Sequence, residues 1–412
     1  MAGKNRGSVL RLLAAVIGVT LVIFGCQNRG VGGKSSNSQA LSIPNHSQLN
    51  HRIKMAGIPG TFLILHSFNL PGTPDSLCID GRGNLYGITN EDGVNDHGTI
   101  FKLAPNGIIT FLHRFNGKDG SAPYALLMDS RGNLYGTTHR GGAYGCGTIF
   151  KLSLNGTLTI LHSFNGKTDG GRPSELLMNK KGYFYGTTLG GKANGLGGKV
   201  YRYGTIFKLN PKGSLIILHR FNVTKGSGLW VLLMDSEGNI YGTTGGGFHS
   251  DGTIFKLTEK GTLNCIHSFN EKDGECPSIT ILDKHEDIYG VTEWGGSHDY
   301  GTVFKLLSNR IFSTLHNFNK KDGEEPQSLI IDKQGNLYGT TLKGGTHNCG
   351  IVYKLSADGT FTILHNFNRK DGSYASDLLI DSQGNLYGTT WQGGANNDGT
   401  IFEIKGAATP ND

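Results

Sequence analysis

Histidine is the side chain best suited to move protons or hold metals near neutral pH, and this chain of 412 residues has 15 of them. Seven, His66, His113, His162, His219, His267, His316 and His365, stand in LHSF-type sequences spread along the chain. Three others, His249, His298 and His347, each precede a glycine-led apolar segment by three residues, and Asp251 or Asp299 could add a ligand for zinc, copper or nickel. No two of these three share a local metal-ligand spacing, so the sequence assigns no metal and no cofactor, and leaves this trio as the one candidate. Asp119, Asp169, Asp273, Asp322 and Asp371 lie in Asp-Gly pairs but lack the close run of acidic and amide ligands that a calcium loop needs. They are read as turn residues.

The motifs of known catalysis are missing. There is no G-x-S-x-G elbow, no H-E-x-x-H and no phosphate loop. A glycosidase would need paired carboxylates in a pocket. Asp92, Asp96, Glu293, Asp299 and Asp398 are the acids outside the repeated turns that fall in the variable loops, and nothing in the sequence pairs them. The aromatic residues are more suggestive. Trp230, Trp294 and Trp391, with Tyr144, Phe248, Tyr300 and Tyr374, lie in or beside those same loops, where exposed rings stack on sugars or anchor partner proteins. Loop-against-loop packing is the competing reading.

What positions these residues is a repeat. The tyrosine of an LYGTT-type sequence recurs at Tyr86, Tyr135, Tyr185, Tyr241, Tyr289, Tyr338 and Tyr387, at steps of 49, 50, 56, 48, 49 and 49 residues. A fixed period of this size means a propeller, a solenoid or an array. One unit reads as four short strands: ALLMD (125–129), NLYGTT (133–138), GTIFKL (147–152) and TLTILHSFN (157–165). Strand segments are almost continuously apolar, as in a sheet covered on both faces. The last unit ends after GTIFEI (399–404), with no fourth strand, while the chain opens with an unattached fourth strand, TFLILHSFN (61–69). Joining the two gives an all-β, seven-bladed propeller of 28 strands closed by its N-terminal strand; a solenoid would need capping units instead. Residues 189–203 lengthen one loop by about seven residues.

The repeat also acts as an internal control. A group present in every blade holds blades together, so the seven histidines on the outer strands are structural, and a working site should break the symmetry. Cys265 takes the place that Ile160, Ile217 and Ile363 hold in sister units, which predicts core packing; a Cys265–Cys276 disulfide is a further option.

The formal charge of +7 comes from the leader. Residues 1–74 carry seven of the 39 basic residues and no acid, leaving 32 bases against 32 acids. The folded part therefore carries no basic excess for nucleic acid. Lys4, Arg6 and Arg11 precede an apolar run, Leu12 to Phe24, too short to span a bilayer and suited to an export signal. The run ends at Cys26 in a sequence similar to the acylation site of bacterial lipoproteins. The expected organisation is a lipoprotein-type signal over 1–26, a flexible tether over 27–58, the propeller over 59–405 and a short tail over 406–412.

With GTIFKL, LHSFN, N-G-K-D-G, D-x-x-G-N-LYGTT and the Gly-Gly loop occurring in order in most units, residues 61–404 resemble the GloVer tandem repeat of exported "choice-of-anchor" bacterial proteins. Kelch repeats share the Gly-Gly pair and the period, but their later Trp is missing here. The resemblance implies export and variable anchoring, and no known reaction. The sequence thus favours a monomeric, non-enzymatic binding or scaffold module, lipid-anchored at the cell envelope, on the outer membrane or cell surface. Its expected partner is an envelope or extracellular protein or polysaccharide, met through the loop face by Trp230, Trp294, Trp391, Tyr144 and Tyr300. An exported lyase or hydrolase acting on a sugar or cyclic ester, with a site in the central funnel, is the alternative.

Overall fold

The computed structural model describes residues 60–69, 72–91, 96–190, 204–222, 229–245 and 251–409, leaving aside the Trp230 side chain. Cys26, the expected signal and the tether lie outside these residues. The chain divides into Met1–Ile58 and Pro59–Asp412, and the second unit is the repeat domain. Its described residues form 28 strands, β1 to β28, in seven four-stranded antiparallel sheets. Blade one is β2 (Pro74–Ile79), β3 (Leu85–Thr89), β4 (Thr99–Leu103) and β5 (Ile109–Arg114), paired in that order from the axis outward. Blades two to six repeat this plan.

The seventh blade closes the ring. It consists of β26 (Ser373–Ile380), β27 (Leu386–Gln392), β28 (Thr400–Lys405) and β1 (Thr61–Ser67), with β1 outermost. Thr61 pairs with Lys405 and Ser67 with Thr400, so the two ends of the repeat region share one ladder. The tail beyond β28 folds back onto the blade: the Ala408 amide donates to the Gly384 carbonyl at 3.0 Å.

Two repeated interactions explain why these sequences form these blades. The first is the turn between the two inner strands. In blade two, Asp129 Oδ1 accepts from the Arg131 and Asn133 amides at 2.9 Å, and Oδ2 accepts from Asn133 Nδ2 at 2.8 Å and the Tyr135 hydroxyl at 3.2 Å. Burial opposes the charge on this carboxylate, but the hydrogen bonds win and hold it below the usual range. Asp80, Asp235, Asp332 and Asp381 repeat the device. In blade three Asn179 does the same with its amide oxygen.

The second is an aromatic contact between blades. The Phe ending each LHSF-type sequence meets a ring on the third strand of the next blade. Phe115–Phe150, Phe164–Phe207, Phe269–Phe304, Phe318–Tyr353 and Phe367–Phe402 lie at centroid distances of 5.3 Å, and Phe68–Phe101 and Phe221–Phe255 at 5.4 Å. The LYGTT glycine makes the room. A Cβ on Gly136 would sit 2.5 Å from Phe150 Cζ, and one on Gly87 2.5 Å from Phe101 Cζ.

Two substitutions test this contact. Gly136→Ala should cost at least about 2 kcal/mol through overpacking, read as a lower denaturant midpoint. Tyr353 occupies a Phe position, and its buried hydroxyl has no partner among the described residues. Tyr353→Phe should therefore raise stability by about 1 kcal/mol, and a lower midpoint would show that the hydroxyl is satisfied in solution.

Candidate functional site

Each inner strand starts at the face that carries the long loops, because the loop between its second and third strands and the connection into its first meet there. The Gly142 amide donates to the Gly117 carbonyl at 3.0 Å, and Gly296 to Glu271 and Gly394 to Arg369 repeat this tie. A bulge then interrupts the inner strand near its start, between Asp75 and Cys78 in blade one, between Pro123 and Leu126 in blade two and between Ala375 and Leu378 in blade seven. Bulges re-aim side chains. Here they send them toward the neighbouring blade and the axis: the Leu126 amide donates to Ser76 Oγ at 2.9 Å, and the Leu77 amide to Asp377 Oδ2 at 2.5 Å.

Three carboxylates break the symmetry at this level: Asp75 in blade one, Glu175 in blade three and Asp377 in blade seven. Burial and then Asp377 push Asp75 up to about 7. Burial, then Asp75, then Asp377, push Glu175 up to about 8. Burial raises Asp377 to about 6 against the Leu77 and Leu378 amides that hydrogen-bond it. Blades three and seven are not neighbours, so their carboxylates sense each other across the central axis. All three keep some accessible surface while lying deep among protein atoms near the axis.

Around the funnel mouth the same asymmetry continues. The position after the last threonine of each LYGTT-type segment is Asn90, His139, Leu189, Gly245, Glu293, Leu342 or Trp391. His139 stacks on Tyr124, with ring centroids 4.3 Å apart, and burial, then Arg172 and Arg140, pull its pKa down to about 3, so it is neutral. Tyr124 itself is raised by burial and then by Glu175 and Asp75. Three blades on, burial and then Glu325 raise Glu293 to about 8. Glu325 Oε1 accepts from Lys343 Nζ at 2.9 Å and stands 3.5 Å from Trp294 Nε1.

The structure places the expected residues unevenly. Trp294 and Trp391 are half-buried near the ends of β19 (Ile288–Trp294) and β27, and Trp391 Nε1 is buried without a partner among the described residues. Tyr300 packs against the core between blades five and six, whereas Tyr144 is 60% exposed in its loop. The Trp230 side chain, Phe248 and His249 lie outside the described residues. His298 and His347 are exposed, and among the described residues no three His, Cys, Asp or Glu side chains are grouped to hold a metal. Five of the seven repeated histidines meet the Asp-Gly carboxylates: His113–Asp119 at 3.0 Å, His162–Asp169 at 2.9 Å, His267–Asp273 at 3.1 Å, His316–Asp322 at 3.4 Å and His365–Asp371 at 3.2 Å. They fasten the outer strand to the following connection.

Two expectations are corrected. Cys265 is exposed, because the outermost strand has a neighbour on one side only; Cys265 and Cys276 are both free thiols. The acids are also less scattered than the loops suggest. Glu293 is coupled to Glu325, and Asp75, Glu175 and Asp377 converge from inner strands read only as apolar. Asp377 and Glu175 break the repeat, standing where sister units carry Ser76, Ala125, Val231 or Ser328.

Fold and site together define a seven-bladed β-propeller whose distinctive side chains gather at the loop-side mouth of its axis. The Gloeobacter/Verrucomicrobia repeat family matches residues 52–244 and 196–402, and the chain belongs to that family. No match was found among curated proteins. Among solved structures, the chain is similar to a streptogramin B lyase at 14% identity and a TM-score of 0.61, covering 83% of this chain and 96% of that one. A catalytically inactive virginiamycin B lyase from Staphylococcus aureus with quinupristin gives 11% and 0.61, over 84% and 99%. The extracellular domain of a proposed one-component system from B. thetaiotaomicron gives 11% and 0.55, over 82% of this chain and 39% of that one. At these identities the likeness is one of fold.

The funnel carboxyls set a pH dependence. Each has a folded-state pKa above its unfolded value near 4, so its contribution is full below that value and is lost as pH rises through the folded value. With Asp75 near 7 and Glu175 and Glu293 near 8, stability should fall between pH 6.5 and 8, where unfolded histidines have already lost their protons. Glu175→Gln should flatten that slope and raise the melting temperature more at pH 8 than at pH 6. A melting temperature that climbs across this window in the parent would mean that these carboxyls are ionised in the folded state.

Proposed function

We propose that this propeller is a non-enzymatic binding or scaffold module, exported and tethered to the envelope by its N-terminus, that grips an envelope or extracellular ligand with its loop face. The observation that carries this reading is the gathering of asymmetric side chains at the mouth of the axis, on a frame whose repeated residues are all committed to holding blades together. The basic leader, the apolar run and Cys26 support export and anchoring. Trp294 beside Glu325 and Lys343, and Trp391 with an unpartnered indole N–H, offer the ring faces and polar edges that suit a polysaccharide, with a protein partner as the other ligand class. Exposed Tyr144 extends the same face.

The converging carboxyls favour a second reading, a funnel hydrolase or lyase. Against it, Asp377 is bound by two backbone amides and Asp75 by the Ser76 amide at 2.9 Å, which makes them parts of the bulges. The lyases of similar fold lend it nothing at 11–14% identity.

Binding of soluble envelope polysaccharide to residues 59–412, measured by calorimetry, separates the readings. The parent should bind without releasing fragments detectable by mass spectrometry, and Trp294→Ala/Trp391→Ala should weaken binding at least about tenfold. Fragments that disappear in Glu175→Gln would establish the enzyme, and equal binding by the double variant would remove the aromatic face from the site.

A further inference from the structure

Arg140 and Arg172 lie at the join between blades two and three, and neither has a counter-ion among the described residues. Arg140 ends β7 (Leu134–Arg140), and Arg172 immediately precedes β10 (Pro173–Met178). The two are close enough that burial and then Arg140 lower the proton affinity of the Arg172 guanidinium. Among the described residues neither side chain has a carboxylate partner, and Arg172 Nε is buried with no hydrogen bond. Beside them His139 Nε2 is likewise buried and unpartnered. Buried polar groups are normally satisfied, and two neighbouring cations without an anion repel each other.

The repeat fixes the Arg172 backbone. Its φ is +57°, in the left-handed region, as at the sister positions Ala122, Cys276, Glu325 and Tyr374. The backbone is pinned there by the Arg172 amide donating to the Cys146 carbonyl at 2.8 Å and the Leu189 amide donating to the Arg172 carbonyl at 3.1 Å. That backbone belongs to the repeated frame, and the guanidinium on it is the exception.

We propose that Arg140, Arg172 and His139 form a subsite for the carboxylate of an acidic sugar, a uronate unit of an envelope polysaccharide. The proposal rests on the binding-module reading and names its ligand class. A planar guanidinium matches a planar carboxylate through two parallel hydrogen bonds. The Tyr124–His139 stack, at 4.3 Å, lies beside the arginines and holds the imidazole in place. Glu175 and Asp75, raised toward the neutral form, can offer carboxyl hydrogens to sugar hydroxyls.

The test is calorimetry of the full chain in detergent with three probes: a galacturonic acid hexamer, its carboxyl-reduced neutral counterpart, and inorganic phosphate. The parent should bind the acidic hexamer at least about tenfold more tightly than the other two, and more weakly as salt rises. Arg172→Gln and the exposed Arg140→Gln should each weaken it about tenfold or more, and Arg172→Lys should retain part of the affinity. Circular dichroism confirms that each variant is folded, and Arg140→Gln carries the test if Arg172→Gln does not fold. Equal binding of acidic and neutral hexamers, both lost in Trp294→Ala/Trp391→Ala, would overturn the uronate subsite and leave the binding module standing. Phosphate binding as tightly as the acidic hexamer, or no binding of the acidic hexamer, would overturn the subsite too.

Discussion

The contact on which the rest of this structure depends is an aromatic ring laid over a glycine. In each blade the ring on the third strand lies against the LYGTT glycine of its own sheet and meets the Phe of the preceding blade, edge to face in five blades and tilted in two. Seven such contacts run round the ring at 5.3–5.4 Å, and all but three of the fourteen rings involved are fully buried. Each combines a large burial of apolar surface with about 0.5–1.5 kcal/mol of ring geometry. Because every blade uses its Phe on the next, the series has no natural end except closure. Phe68 of the N-terminal segment fills the last gap, joining blade seven to blade one through Phe101.

Closure by side chains of this kind leaves the loop face free to diverge. The turn aspartates, rim His–Asp pairs and bulge hydrogen bonds hold the sheets without drawing on the ends of the second strands. Those ends, and the bulges beside them, therefore tolerate Asp, Glu, His, Arg and Trp in place of the repeated residue. The cost is local: carboxyls of raised pKa, and an imidazole and a guanidinium each with a buried nitrogen that lacks a partner among the described residues. Features of that kind persist where the surrounding fold over-determines them, and they gather at sites that meet ligands.

The architecture was legible in the sequence because it is written seven times. The period, the four strand segments per unit and the unattached segment at 61–69 together predicted 28 strands and the closing strand, and β1 pairs with β28 as expected. The site was legible only in part. Trp294, Trp391 and Glu293 stood out because they lie in variable stretches, but their partial burial depends on neighbouring blades that a local reading does not see. Asp75, Glu175 and Asp377 were missed because inner strands were read for hydrophobicity alone. Their convergence is a property of the ring, which brings together residues about 100 to 300 positions apart in the chain. Cys265 shows the opposite error, a core position inferred from sister isoleucines that are themselves only half covered.

The central claim is that the repeated residues build the frame and the exceptions at the axis meet the ligand. Amide hydrogen exchange of the protein with and without soluble envelope polysaccharide tests it most directly. Added protection is predicted at Asp75–Ser76, Tyr124, His139–Arg140, Arg172–Glu175, Trp294 and Trp391, with none at the opposite turns such as Asp129–Asn133. Protection confined to those turns or to the outer rim, or no change anywhere, would contradict it.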